Sequence, residues 1–367
     1  MKYDMFTKEQ IIFLTFASGC SNIAFNFTWA VYLCGRSSWI ALAIGILLTI
    51  PFTLAILYLS KGYPKCSIFD IIQIKFGKFI YIIIVTINLA INIVLAVTIL
   101  NFLAGTIKIY FLQLTPIWII IIINIILAFL FVNNKILLFG RTVELLTIWY
   151  VINYFTGFSL SFFQEFDFRN IYPIFDTTLL KFGEAVLFSF CSSAEILLFV
   201  IVVGGHMPQT AGCKKSIIKG ILLWSFILPL AEFIMQGISG TELLLSTSSA
   251  GVEISRSIFF GDFLRGLEVF ILVTYQLICI MRLSLYLYCS WIPIKKIFNK
   301  RYSVIILLLI SLVIFVLSTR LDSYNKAFFI SLFMEYYVVF PFVLVVIVFT
   351  FLGTLIIKRG SGSYEKE

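Results

Sequence analysis

Glu195 lies in a long apolar run, directly behind small and polar residues: Phe188-Ser189-Phe190-Cys191-Ser192-Ser193-Ala194-Glu195. An ionisable group at the centre of a membrane span costs about 2.5–3.5 kcal/mol on insertion scales, so it marks a functional position by default. Such a carboxylate can hold an ammonium, carry a proton, or tie a broken helix to a neighbour. A matching cluster, Phe16-Ala17-Ser18-Gly19-Cys20-Ser21-Asn22, interrupts the first apolar run. Small residues at these two places either let helices pack closely or let the backbone unwind. Unwound backbone offers N–H groups to an anion at a half-helix N-terminus and carbonyls to a cation. A molecule charged at both ends, an amino acid, suits that pairing. The candidate ligand-binding set is therefore Ser18, Gly19, Cys20, Ser21, Asn22, Cys191, Ser192, Ser193 and Glu195.

Further polar residues sit in other runs. Asn88 and Asn92, four apart, share a helix face and either line a pocket or bond a neighbouring helix. Tyr275, with Gln276, is a weaker candidate of the same kind. Arg141 and Glu144, and Arg265 and Glu268, are spaced three apart; both read as structural or coupling ion pairs. Glu232 follows Pro229 near the outer end of its run, and Glu184 lies near the outer end of another. Arg282, deeper in its run, either snorkels or pairs with a carboxylate.

The elements that carry these residues follow from composition. Of 367 residues, 61% are hydrophobic and 12% charged, and the mean hydropathy is +1.07. Soluble domains are about 45–50% apolar and about 25% charged, so a water-soluble fold is excluded. Ten apolar runs occur, near 10–31, 39–59, 80–103, 116–132, 142–163, 180–204, 217–237, 263–289, 303–319 and 337–357. They do not alternate as barrel strands would, and backbone in hydrocarbon must satisfy itself within a helix. With the N-terminus inside, inner segments hold 18 Lys and Arg and outer segments 8, which places both termini in the cytoplasm. The longest outer loop is expected over about 238–262. The expectation is an all-α integral membrane protein: ten helices in a 5+5 inverted repeat, LeuT-like, with helices 1 and 6 interrupted. The chain reads as a single polytopic domain, 1–367. Its first repeat spans about 10–163, its second about 179–357, and residues 358–367 form a polar cytoplasmic tail.

Other classes fall away. The formal net charge of +9 reflects cytoplasmic loops rather than nucleic-acid binding. Seven cysteines form no CxxC pair, and His206 is the only histidine, so neither a disulfide framework nor a metal site is expected. Met1–Gln10 is polar and lacks a signal-peptide pattern, so the first run is expected to be a retained span. There is no phosphate-binding glycine loop, HExxH or GxSxG; no enzymatic activity and no cofactor are expected.

Several short stretches recur in order along almost the whole chain. They are Thr7-Lys8-Glu9-Gln10, Gly35-Arg36-Ser37-Ser38-Trp39-Ile40, Phe139-Gly140-Arg141-Thr142-Val143-Glu144, Tyr172-Pro173, Ala194-Glu195 and Arg265-Gly266-Leu267-Glu268. In these the chain resembles the endospore germination permease family, the B subunits of spore germinant receptors, within the amino acid–polyamine–organocation transporter group. Ser37-Ser38 stands where that family often has an acidic residue. The resemblance implies a nutrient sensor in the inner membrane of a dormant spore. Such a subunit binds a small germinant, usually an amino acid, and signals to an A subunit and a lipoprotein C subunit. A proton- or sodium-coupled amino acid transporter is the alternative reading.

Overall fold

A computed structural model of the chain describes residues 5–20, 23–134, 136–208, 210–246, 250–257, 268–298, 302–321 and 323–361. Among them there are helices and no strands. Helix α1 (Lys8–Gly19) opens on a reciprocal cap: the Thr7 hydroxyl accepts from the Gln10 N–H, and the Gln10 side chain accepts from the Thr7 N–H. It stops at Gly19, where Cys20 leaves helical geometry (φ −64°, ψ 46°), and α2 (Ile23–Cys34) resumes beyond it. A short 3₁₀ turn, Gly35–Ser37, leads into α3 (Ser38–Leu47) and α4 (Thr49–Ser60). The amphipathic α5 (Ile68–Phe76), capped by Ser67 and Asp70, precedes α6 (Lys78–Tyr110), α7 (Ile117–Val132) and α8 (Ile136–Glu165). The second half contains α9 (Leu179–Ser192), α10 (Ala194–Val203), α11 (Ala211–Ser246), α12 (Ala250–Ser257), α13 (Glu268–Ile297) and α14 (Ser303–Arg320). It ends with α15 (Tyr324–Met334), one π-helical turn at Glu335–Val339, and α16 (Phe340–Ser361).

Among the described residues, eight helices are long and apolar enough to cross a bilayer: Phe27–Ser60, Lys78–Tyr110, Ile136–Gly157, Leu179–His206, Ala211–Ser246, Val269–Ile297, Ser303–Arg320 and Tyr324–Thr354. The other two of the ten apolar runs are those whose helices fall short. The first is divided into α1 and α2, each 12 residues, and the fourth is α7, at 16 residues. The sixth run behaves differently from the first. Ser193 alone separates α9 from α10, and its backbone stays in the right-handed helical region (φ −77°, ψ −4°), so the chain turns there without unwinding. Three boundaries also shift. The expected outer loop is partly helical, because α11 continues to Ser246, bending at Gly240 (φ 68°), and α12 follows. The last span begins at Tyr324 rather than 337. The start of the expected polar tail is helical, since α16 runs to Ser361.

Helix α10 is buried at all ten residues. This explains why its sequence is apolar all round and shows no amphipathic stripe. Around it α1 packs on α11, α3 on α9, and α13 on α6 and α8. Glycine sets two of these crossings. A side chain at Gly220 would meet the Ile12 carbonyl oxygen of α1 at 2.6 Å, and one at Gly45 would meet the Val186 carbonyl oxygen of α9 at 2.7 Å. Pro293, inside α13, has no N–H to give to the carbonyl four residues back. That carbonyl, on Cys289, accepts instead from Asn88 Nδ2 of α6 at 3.1 Å, and the Pro293 carbonyl accepts from the Tyr81 hydroxyl at 2.9 Å. The proline thus exchanges an intrahelical bond for two links between α6 and α13.

Candidate functional site

The break after Gly19 leaves the last carbonyls of α1 without intrahelical donors. Arg282, on α13, supplies one: its Nη1 donates to the Ser18 carbonyl at 2.7 Å. A guanidinium at a helix C-terminus also meets the negative end of the helix dipole. The same side chain reaches across to α10, where its Nη2 donates to Glu195 Oε2 in a buried ion pair. Glu195 stands in the first turn of α10, where a carboxylate is favoured by the opposite dipole end. Tyr286, one turn beyond Arg282, donates its hydroxyl to Glu195 Oε2 at 2.9 Å and places its ring 4.7 Å from the guanidinium carbon. Arg282 is 1% exposed and Glu195 4%, so water screens neither charge.

Two polar atoms of this cluster have no hydrogen-bond partner among the described residues: Glu195 Oε1 and Arg282 Nε. Beside them is a cavity of about 20 Å³, room for roughly one water molecule. Ser18, Asn92, Glu195, Arg282 and Tyr286 give it a polar side, and Leu198, Phe199, Leu285 and Cys289 an apolar one.

A second buried carboxylate lies close by. Glu335, in the π-helical turn, accepts from the Ser331 hydroxyl at 3.2 Å and from Ser192, and it lies within electrostatic reach of Glu195 and Arg282. π-Helical turns of this kind recur at functional positions. Arg282, Tyr286 and Glu335 are absent from the sequence-derived ligand set. Arg282 and Tyr286 share one helix face at i, i+4, a signal available in the sequence. Glu335 escapes notice because the uninterrupted apolar run starts only after it.

The structure brings some of the sequence-derived candidates together and separates others. Ser18, Asn92 and Glu195 reach the cavity. Gly19 faces α10 and α11, where a side chain would meet Trp224 at 2.7 Å and Ile196 at 3.1 Å, so its smallness serves packing. Cys20, Cys191, Ser192 and Ser193 are buried beside the break without lining the cavity. Asn88 holds α6 to α13 and accepts from Asn92 Nδ2 at 3.1 Å. Tyr275 packs its ring 5.7 Å from Phe102, away from the cluster, and Gln276 donates to Asn124 Oδ1 at 2.7 Å. Ser21, Asn22 and Arg265 lie outside the described residues, as does the side chain of Glu268. Arg141 is exposed, and no ion pair joins it to Glu144 among the described residues. One turn of helix separates the two, and exposure leaves the guanidinium no reason to turn back.

A separate polar cluster joins α3 to α11. Glu232 is fully buried and accepts from the Ser38 hydroxyl at 2.9 Å and from Gln236 Nε2 at 3.0 Å. Removing the carboxylate leaves the Ser38 hydroxyl without its acceptor, while Gln236 Nε2 still donates to Ser38 Oγ and to the Gly35 carbonyl. Glu232→Ala is expected to lower stability by about 1–3 kcal/mol, with Glu232→Gln costing less because the amide oxygen still accepts. Thermal unfolding of the two variants in one detergent checks the order.

These helices and the ion pair at the divided first run define a multi-pass membrane protein with a buried polar centre between its spans. The chain matches the spore permease family model, described as spore germination protein, over residues 6–327, and belongs to that family. Comparison with individual curated proteins gave no match. The match covers Glu195 and Arg282 and ends before Glu335.

Proposed function

We propose that the chain is the germinant-binding B subunit of a spore germinant receptor, and that an amino acid binds between Glu195 and Arg282. The observation that carries this reading is the pair of unspent atoms. Glu195 Oε1 can accept from an ammonium and Arg282 Nε can donate to a carboxylate, and the two ends of an α-amino acid are such a pair. Ser18, beside the break, supplies the neighbouring backbone, and we assign Ser21 and Asn22, which follow it in the sequence, to the same site. A cavity of about 20 Å³ is smaller than any amino acid, so binding requires its walls to part. The hinge we assign to this motion is the break between α1 and α2. A ligand that favours the parted arrangement shifts the population toward it, and the A subunit and lipoprotein C subunit in the spore inner membrane read the change. In this reading the ten apolar runs form a 5+5 inverted repeat with both termini in the cytoplasm.

The test uses the purified protein in detergent and the standard amino acids as a panel, read by thermal unfolding. A ligand present at a hundredfold its Kd adds about 2.7 kcal/mol of stability. At least one amino acid is expected to raise the midpoint of the wild type and to leave that of Glu195→Gln unmoved. No shift with any amino acid, or the same shift in the variant, contradicts the proposal. A second reading, proton- or sodium-coupled amino acid uptake, draws support from three buried carboxylates, Glu195, Glu232 and Glu335, set against one buried guanidinium among the described residues. Proteoliposomes separate the two. Sustained gradient-driven accumulation without partner subunits favours transport, and binding without flux favours sensing.

A further inference from the structure

A larger cavity, about 390 Å³, opens where α4 ends and α11 begins. One wall is a single face of α4. Leu54, Leu57, Tyr58 and Lys61 line it, and their spacing of three, one and three stacks them along the helix. Leu54 and Leu57 are half-buried and Tyr58 is 72% exposed. In a membrane span these side chains face hydrocarbon rather than water. The stripe ends at Lys61, at the last turn of the span. The opposite wall starts with Met207 and Pro208 and ends at Lys214. Both lysines are exposed. Neither makes an ion pair among the described residues, and no Asp or Glu lines the cavity. It therefore has an apolar body at the depth of acyl chains and two uncompensated cations at its mouth.

We infer that this cavity binds an anionic phospholipid, with Lys61 and Lys214 holding the phosphate and an acyl chain lying along Leu54, Leu57 and Tyr58. A soluble anion would satisfy the lysines and leave the apolar wall uncovered. A zwitterionic lipid would cover the wall and bring its own cation to the lysines. Only a lipid of net negative charge satisfies both halves, and lysines at a membrane boundary attract such headgroups. The inference is independent of what binds between Glu195 and Arg282.

Native mass spectrometry of the purified protein, supplied with phosphatidylglycerol or phosphatidylcholine, tests it. The wild type is expected to retain phosphatidylglycerol in preference to phosphatidylcholine. Lys61→Gln/Lys214→Gln is expected to lose that preference by roughly tenfold. Lys215→Gln/Lys219→Gln, which removes the same charge from exposed neighbours on α11, is expected to keep it. Glycerol phosphate added in excess should not displace the lipid. Equal retention of the two lipids, equal loss in both double variants, or displacement by glycerol phosphate each overturns the proposal. The substituted lysines are exposed, so the variants should fold. Thermal unfolding confirms this before the lipid is scored.

Discussion

Replacing Arg282 with methionine is expected to destabilise the protein by about 3–5 kcal/mol, the usual cost of removing one partner from a buried ion pair. Three losses coincide. The Glu195 carboxyl group loses its counter-ion and keeps only the Tyr286 hydroxyl as a partner, the Ser18 carbonyl at the end of α1 loses its donor, and the Tyr286 ring loses its cation. The double variant Arg282→Met/Glu195→Leu is expected to recover much of the loss, because hydrophobic residues of similar volume replace buried pairs at little or no cost. Thermal unfolding of the single and double variants in one detergent measures the coupling. Additive effects would show that the pair does not hold α10 to α13. A recovered double variant that no amino acid stabilises would separate the structural role of the pair from its proposed role in binding.

Valine at position 45 is the second large effect. The missing side chain of Gly45 is what lets α3 lie against Val186 and Ser189 of α9. The Val186 carbonyl oxygen stands 2.7 Å from where a Cβ would go, and a backbone atom cannot swing aside. The hydrogen bond from the Ser189 hydroxyl to the Leu42 carbonyl, 2.8 Å, would be stretched as the helices part. Overpacking of this kind costs about 1–3 kcal/mol, occasionally more, and the crossing lies one turn before the Ser193 bend that presents Glu195. Gly62→Ala is the control, since nothing lies within 4 Å of a side chain there. Gly45→Val should lower the unfolding midpoint and Gly62→Ala should not. Equal midpoints would mean that α3 and α9 are not in close contact.

What the sequence reveals here depends on the range of the interaction. Insertion cost, together with the small and polar residues before it, singles out Glu195, and the local cluster around Gly19 marks the end of α1, because both are properties of a short stretch. The partner of Glu195 is 87 residues away, and no local pattern connects the two. Helices that are apolar all round carry no periodicity to say which face turns inward. For that reason Tyr275 reads like Asn92 in the sequence, yet only Asn92 reaches the cavity. The serine-rich stretch before Glu195 reads as a second interruption, yet Ser189 serves the α3 crossing and the chain merely turns at Ser193. Glu335 is hidden for a different reason. It belongs to a helix that the uncharged run, taken alone, starts too late, and its partner Ser331 lies on the earlier turn.

An amino acid lying between Glu195 and Arg282 is the central element of the proposed function. The most direct measurement is magnetic dipolar coupling by solid-state NMR. The protein carries nitrogen-15 in its arginine side chains, and the amino acid that stabilises it most carries carbon-13 in its carboxyl group. The account predicts dephasing of the carboxyl signal by a guanidinium nitrogen in the wild type, and its loss in Arg282→Lys. A bound amino acid whose carboxyl carbon shows no such coupling, or shows it equally in Arg282→Lys, would contradict the account.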